Sequence, residues 1–294
     1  MNKWQGVECK SNLFRRVVLK GIVVLGITAM AIGSFAVSAS ATSLLEKIKN
    51  GEAIRIGYSD DPPWAYSGGN NEPLGISNTI LLAVLKKMGA TKIEPVVTEW
   101  GSLIPGLQAG RYDVISDAMY VLPERCRNVL FTDPINVGVN SMVVPRGNPK
   151  GLHSMEDVRD KGLTLVTGSG FASLKSARDV GIPDDKLMQV PGYPEILQAV
   201  KAGRADAGAG DYLTLKKAVN NDESLHLASP YTESGKQNYS AFALPLNDQA
   251  AVDAINAVME GYIGSDEMLA SVSTYGYDKL LLPNGRTTAE LCKG

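Results

Sequence analysis

The chain has 294 residues, of which 29 are Lys or Arg and 31 are Asp or Glu, giving a formal net charge of −2 at pH 7. Without a basic excess, nucleic acid is not expected as a partner, because phosphate binding requires clustered Lys and Arg. The length allows one large domain or two lobes of average size.

Residues 1–41 are predicted to be an export signal that does not belong to the fold. Basic residues precede an uncharged apolar run over 21–37, and Ala39–Ala41 supplies the small residues of a cleavage site. The pair Arg15-Arg16 also permits the twin-arginine route. We therefore expect a cleaved signal peptide and a periplasmic protein.

After the signal, short apolar strands alternate with helices. The predicted strands are 53–58, 96–97, 112–115, 163–166, 206–210 and 238–244; the predicted helices are 75–88, 102–109, 171–179, 211–219 and 250–263, and 116–128 is expected to be irregular. Such alternation predicts an α/β fold with mostly parallel, doubly wound sheets. Ligands in that architecture bind beyond the carboxyl ends of the strands.

The tripeptide Ala-Gly-Arg, followed by one residue and an Asp, occurs at Ala109–Asp113 and again at Ala202–Asp206. In both copies a helical pattern ends at the Gly and a strand pattern follows, which is typical of the helix-to-strand joint of a βαβ unit. Two such joints predict two α/β lobes of similar build, with a ligand held where strands end.

The cysteine and histidine content indicates a disulfide rather than a metal site. Cys126 and Cys292 remain once the signal, which carries Cys9, is removed. An even number in an oxidising compartment favours a bond between them, although two separate buried thiols stay an alternative. The two His residues have no thiols or carboxylates at metal-ligand spacing, so we expect no metal and no cofactor.

A family resemblance rests on the segment PERCRNVLFTDP, which is preceded by LQAGRYDV. These residues resemble the periplasmic solute-binding proteins of the polar amino-acid ABC importers, and the resemblance runs from IRIGYSDDPPW to TTAELCKG. It implies the type II periplasmic binding protein fold, in which two lobes close around one small solute. It also implies a monomer that delivers this solute to a membrane permease.

The same resemblance implies where the lobes begin and end. Two crossing strands are expected near 134–140 and 237–241. We therefore place lobe 1 at 42–137 plus 241–294 and lobe 2 at 138–240, with the ligand in the cleft between them.

Within the family, EWGSLIPGLQAGRYD, PERC, RGNPKGL and TTAELC resemble the members that bind ectoine and hydroxyectoine. This likeness implies aromatic walls at Trp64, Trp100 and Tyr120. It also implies an acid, Asp61, near the cationic ring of the ligand and a carboxylate clamp at Arg125. Each aromatic face around a delocalised cation contributes about 0.5–2 kcal/mol. An Arg can form two parallel hydrogen bonds with a carboxylate, which Lys cannot.

The second lobe supplies further candidates. Gly168, Ser169 and Gly170 open a predicted helix whose free N–H groups suit the other carboxylate oxygen, and Phe171 is a further candidate wall. Asp211 occupies the position where amino-acid binders of the family hold the ligand's α-ammonium group, and the ectoine binders lack an acid there. It suits the N-cap of the following helix equally well.

These residues predict a binding protein rather than an enzyme. The expected ligand is a small zwitterion, preferably ectoine-like, and a polar amino acid such as glutamine or arginine is the alternative. Asp117 is a second acid whose role stays open. A periplasmic dehydratase of cyclic acids, with Asp61, Asp117 or Asp211 as general acid, ranks lower because no nucleophile–base pair is recognisable. The ligand domain of a sensor is disfavoured because no signalling segment is recognisable.

Overall fold

The computed structural model describes residues 42–220, 222–233 and 237–293. The predicted signal peptide at 1–41 lies outside the described residues. None of the helices in the described ranges combines the length and the apolar character that a membrane span requires.

The strands, in chain order, are β1 (Ile54–Tyr58), β2 (Tyr66–Ser67), β3 (Pro73–Leu74), β4 (Ile93–Val97), β5 (Val114–Tyr120), β6 (Leu130–Phe131), β7 (Asn136–Gly138), β8 (Asn140–Pro145), β9 (Leu165–Gly168), β10 (Leu187–Val190), β11 (Ala207–Asp211), β12 (Leu225–Leu227) and β13 (Asn238–Leu244). The helices are α1 (Leu44–Asn50), α2 (Ile76–Lys87), α3 (Leu103–Gln108), α4 (Pro123–Cys126), α5 (Met155–Asp160), α6 (Ala172–Asp179), α7 (Tyr193–Lys201), α8 (Tyr212–Asn220), α9 (Gln249–Tyr262), α10 (Asp266–Val272) and α11 (Thr288–Leu291).

These strands form two main sheets. The first has the order β4-β1-β5-β13-β6, with β7 also paired to β13, and the second has the order β10-β9-β11-β8-β12. In each sheet a parallel set (β4, β1 and β5; β10, β9 and β11) is joined by an antiparallel strand (β13; β8). The chain passes from the first sheet to the second between β7 and β8, and it returns along β13.

Apolar clusters cover both faces of each sheet. In the first sheet, α2 buries an apolar stripe on one face, formed by Ile80, Leu81, Val84 and Leu85. On the other face, α3 packs with Tyr112. The second sheet has α6 in the cluster on one face and α7 in the cluster on the other. This arrangement confirms the predicted fold class, two doubly wound α/β lobes joined by crossing strands. We call the first sheet with its helices the first lobe, and the second sheet with its helices the second lobe.

The two Ala-Gly-Arg-x-Asp joints make the same contacts in the two lobes. The Asp113 N–H donates to Arg55 O (2.9 Å), and the Arg55 N–H donates back to Asp113 Oδ2 (2.9 Å). Asp206 exchanges the corresponding bonds with Thr164, both at 2.8 Å. The Gly of each copy has a left-handed φ of 67°, which a side chain disfavours. Each joint therefore fixes, through one carboxylate, a residue at the start of the neighbouring parallel strand, which is β1 in the first lobe and β9 in the second.

The prediction of an irregular segment at 116–128 is wrong in part. Strand β5 continues through Tyr120, and the single turn α4 follows. The strand is nevertheless distorted, since Ala118 has a positive φ of 46° and the pairing with β13 shifts register. Polar residues inside a buried strand removed the apolar alternation on which the sequence pattern depends.

A disulfide bond joins Cys126 at the end of α4 to Cys292 just after α11, with a Cα–Cα distance of 5.8 Å. The bond closes a loop over a sequence separation of 166 residues. In the chain-entropy account, a loop of that length corresponds to about 5 kcal/mol of stability. The bond therefore ties the C-terminal segment to the single helical turn that carries Arg125.

Candidate functional site

A cavity lies between the two lobes, beyond the carboxyl ends of β5 and β11. Its volume is about 40 Å³, which is room for roughly three water molecules. Both lobes contribute to its lining, which consists of Asp61, Trp64, Trp100, Asp117, Ala118, Tyr120, Arg125, Asn140, Phe171, Ala172, Ser173, Tyr193, Gly210 and Asp211. Most of the predicted site residues are therefore brought to one place, and Gly168, Ser169 and Gly170 are not part of the lining.

Arg125 lies buried in this cavity and spans the two lobes. Its Nη1 donates to Tyr120 O (2.9 Å) and its Nη2 donates to Gly170 O (2.8 Å). The guanidinium carbon is 5.6 Å from the centre of the Trp100 ring. Burial lowers the pKa of Arg125 to about 10, so the side chain is still a cation at neutral pH. These bonds use two of its five N–H donors, and a carboxylate can accept from the others.

The glycine turn of the second lobe contacts the clamp through a carbonyl rather than through its N–H groups. Besides Arg125, Trp100 Nε1 donates to Gly170 O (3.2 Å). The Ser169 N–H donates to Val190 O (2.8 Å) of β10 and is therefore already paired. Gly168 leaves room for a ring, because a side chain there would collide with Phe171. After Phe171, the cavity lining continues with Ala172 and Ser173 at the start of α6.

Aromatic side chains form much of the cavity wall. Trp64 is almost fully buried, and its Nε1 donates to Asp211 Oδ1 of the second lobe (2.7 Å). The Trp100 and Phe171 rings meet edge to face with centroids 5.4 Å apart, and Phe171 lies 5.1 Å from the Tyr193 ring. The aromatic residues predicted for the site are therefore all part of the cavity lining.

The sequence interpretation missed six lining residues: Ala118, Asn140, Ala172, Ser173, Tyr193 and Gly210. Tyr193 begins α7, and its hydroxyl accepts the Asp211 N–H (2.9 Å). A side chain at Gly210 would meet its ring at 2.5 Å, so this glycine makes room for the tyrosine. Asn140 begins β8, and its Oδ1 accepts from the Tyr120 hydroxyl (3.2 Å). Tyr193 follows β10, a strand that was not predicted, and recognising that strand would have marked its carboxyl end as part of the site.

Three carboxylates converge on the cavity. Asp61 Oδ1 accepts from the Thr214 hydroxyl (2.7 Å), a contact between the lobes. Asp117 Oδ2 accepts from the Ser59 N–H (2.8 Å) and from the Ser59 hydroxyl (2.6 Å). Asp211 Oδ1 accepts from Trp64 Nε1 and from the Thr214 N–H (3.1 Å). Asp211 therefore caps α8 and lines the cavity at the same time, so its two predicted roles are compatible.

The surroundings of these acids disfavour their charged forms. Burial raises the pKa of Asp117 from 3.8 to about 7 and that of Asp211 from 3.8 to about 6. Burial, together with the charges of Asp117 and Asp211, raises the pKa of Asp61 well above its usual value. Among the described residues, no group of three or more His, Cys, Asp or Glu has the arrangement of a metal site.

Comparison with known proteins agrees with this architecture. Residues 54–276 match the family described as bacterial extracellular solute-binding proteins, family 3. The chain belongs to this family. A probable amino-acid ABC transporter periplasmic-binding protein of Sinorhizobium fredii is 32% identical over 257 residues, covering 84% of this chain and 85% of the relative. The ABC transporter arginine-binding protein 1 of Escherichia coli is 27% identical over 181 residues, covering 60% of this chain and 71% of the relative.

Among solved structures, the protein EhuB in complex with hydroxyectoine is similar, with a TM-score of 0.78 and 27% identity. The match covers 85% of this chain and 97% of that chain. The family and the fold together establish the chain as an extracellular solute-binding protein with the type II periplasmic binding protein architecture.

Proposed function

We propose that the protein is the solute-binding subunit of a bacterial ABC importer and captures a small solute that has both a carboxylate and a cationic group. The observation that carries this proposal is the position of Arg125, a buried cation with spare N–H donors in a cavity that also contains Asp61, Asp117 and Asp211. Opposite charges at separate points of one cavity suit a zwitterion, since buried charges require partners. Membership in the family supports delivery of this solute to a membrane permease in the periplasm.

Closure of the lobes would hold the solute. Contacts across the cleft already join them: Arg125 and Trp100 to Gly170, Trp64 to Asp211, and Asp61 to Thr214. A solute enters only when the lobes separate, because these contacts block the cavity. Hinge closure about crossing strands is the usual way in which such proteins enclose a ligand.

Two ligand classes fit this description. An ectoine-like solute is supported by the aromatic walls Trp64, Trp100 and Tyr120, because several ring faces suit a delocalised cation. The relative solved with hydroxyectoine adds support. A polar amino acid such as glutamine or arginine is supported by Asp211, whose carboxylate lies in the same cavity as Arg125, and by the relatives named as amino-acid binders.

Isothermal titration calorimetry on unfolded and refolded protein tests the proposal with ectoine, hydroxyectoine, glutamine and arginine. We expect one or more of them to bind wild-type protein. Arg125→Ala should weaken that binding more than 100-fold, because two charge-assisted hydrogen bonds are worth about 1.5 kcal/mol or more each. Arg127→Ala is the matched control, since Arg127 is exposed two residues away. Equal affinity of the Arg125→Ala variant would refute the clamp.

A further inference from the structure

The cavity contains more acidic than basic side chains. Three carboxyl groups, of Asp61, Asp117 and Asp211, line it, and among the described residues Arg125 is the one basic residue of the lining. The nearby Asp60 adds negative potential, since its charge raises the pKa of both Asp61 and Asp117. A solute with one carboxylate and one cationic group would pair with Arg125 and one acid. The other two carboxyl groups would then have no cationic partner in the cavity, and burial disfavours the charged form of a carboxyl group without one.

One oxygen of this cluster has no protein partner. Ser59 holds Asp117 Oδ2 with two hydrogen bonds, whereas Oδ1 is buried and accepts from none of the described residues. Asp117 is only 1% exposed and belongs to the cavity lining. Neither Asp61 nor Asp211 has a fully buried oxygen of this kind. Each has an oxygen that accepts from Thr214, and Asp211 Oδ2 also accepts from the Tyr120 hydroxyl. Buried carboxylate oxygens are normally paired, so an unpaired one at a binding cavity indicates a ligand group.

We propose that Asp117 Oδ1 binds a second cationic donor group of the solute, so that the solute carries one carboxylate, two cationic groups and a net charge of +1. This inference rests on the proposed function and narrows its ligand class. The carboxylate binds Arg125, the first cationic group binds Asp211, and the second lies between Asp61 and Asp117. A planar guanidinium fits this second position well, since it donates several parallel N–H groups and stacks on the surrounding aromatic rings.

A pair of nearly isosteric probes isolates the second charge. Arginine and citrulline share the α-carboxylate and the α-ammonium group. They differ at the end of the side chain, where arginine has a guanidinium and citrulline has a neutral urea group. Calorimetry at pH 8 on refolded wild-type protein should give at least tenfold tighter binding of arginine than of citrulline. Asp117→Asn should reduce this ratio to about threefold or less, because the amide keeps the shape of the side chain but not its charge. Asp185→Asn, at an exposed acid outside the cavity lining, should leave the ratio above tenfold.

The outcomes separate this inference from the function on which it rests. One outcome is that citrulline or ectoine binds wild-type protein as tightly as arginine does, and that Arg125→Ala still abolishes this binding. That result would overturn the second cationic subsite and leave the importer function intact. An unchanged arginine-to-citrulline ratio in Asp117→Asn would overturn the role of Asp117. If none of these carboxylates binds wild-type protein, the proposed function fails as well. The wild-type ratio decides the ligand charge even if the Asp117→Asn variant does not fold.

Discussion

The buried carboxyl of Asp117 should make the protein less stable as the pH rises, and Asp117→Asn should remove that loss. Its pKa is raised in the folded state, from 3.8 to about 7. Between these values the folded protein binds more protons than the unfolded chain, so the free energy of unfolding falls as the pH increases. The stabilising protonated form is fully present below pH 3.8, and its contribution is lost by the time the pH exceeds 7.

The magnitude follows from the same two pKa values. A change from 3.8 to about 7, at about 1.4 kcal/mol for each pH unit, corresponds to about 4 kcal/mol when Asp117 is ionised. Asparagine cannot ionise, and its side-chain oxygen can still accept the two bonds from Ser59. The variant should therefore be more stable than wild type by about 1 kcal/mol at pH 4.5 and by about 4 kcal/mol at pH 8.

Urea denaturation of refolded protein, followed by circular dichroism at the two pH values, measures this difference. Urea is preferable to guanidinium because it leaves charge interactions unscreened. Asp185→Asn serves as the control and should change the stability by less than about 0.5 kcal/mol, as is usual for exposed positions. The raised pKa of Asp117 would be refuted if Asp117→Asn were less stable than wild type at pH 8. It would also be refuted if the difference in stability between the two proteins did not grow with pH.

Three further substitutions test contacts other than those of Asp117. In urea titrations, Asp113→Asn should lower the free energy of unfolding by about 2–3 kcal/mol and Asp206→Asn by about 1–1.5 kcal/mol. The loss is larger at Asp113 because this residue is less exposed and pairs with both Lys47 and Arg55, whereas Asp206 pairs with Lys150. Equal losses would contradict this explanation. Gly138→Ala should weaken ligand binding at least tenfold in calorimetry while the protein still folds, because the added methyl group meets the Tyr120 ring. Unchanged affinity would show that the ring can move freely.

The parts of the fold with regular apolar spacing could be predicted from the sequence. Strand β13 has the predicted limits of 238–244, and α2 and α9 differ from their predicted limits by one residue at each end. Strand β5 was predicted to end early, because its buried Ser116 and Asp117 are polar. Asp117 also lines the cavity, so the strand pattern is interrupted at a residue of the candidate site.

The candidate site was predictable where a family motif or a conspicuous residue type pointed to it, as for Arg125 and Trp64. It was not predictable where the contact is set by tertiary structure. Tyr193 reaches the cavity only because β10 pairs with β9 and Gly210 leaves space for its ring. The unpaired oxygen of Asp117 likewise depends on Ser59, which lies 58 positions away in the sequence. Neither spacing nor composition contains that information.

The disulfide has a practical consequence for experiments with this protein. Arg125 lies on a helix of a single turn, and the next residue, Cys126, is bonded to Cys292. The orientation of the clamp thus depends on residues that lie outside the cavity and near the end of the chain. A truncation before Cys292 would remove this covalent link without removing any cavity residue. Reducing agents are for the same reason a variable to control in every binding measurement.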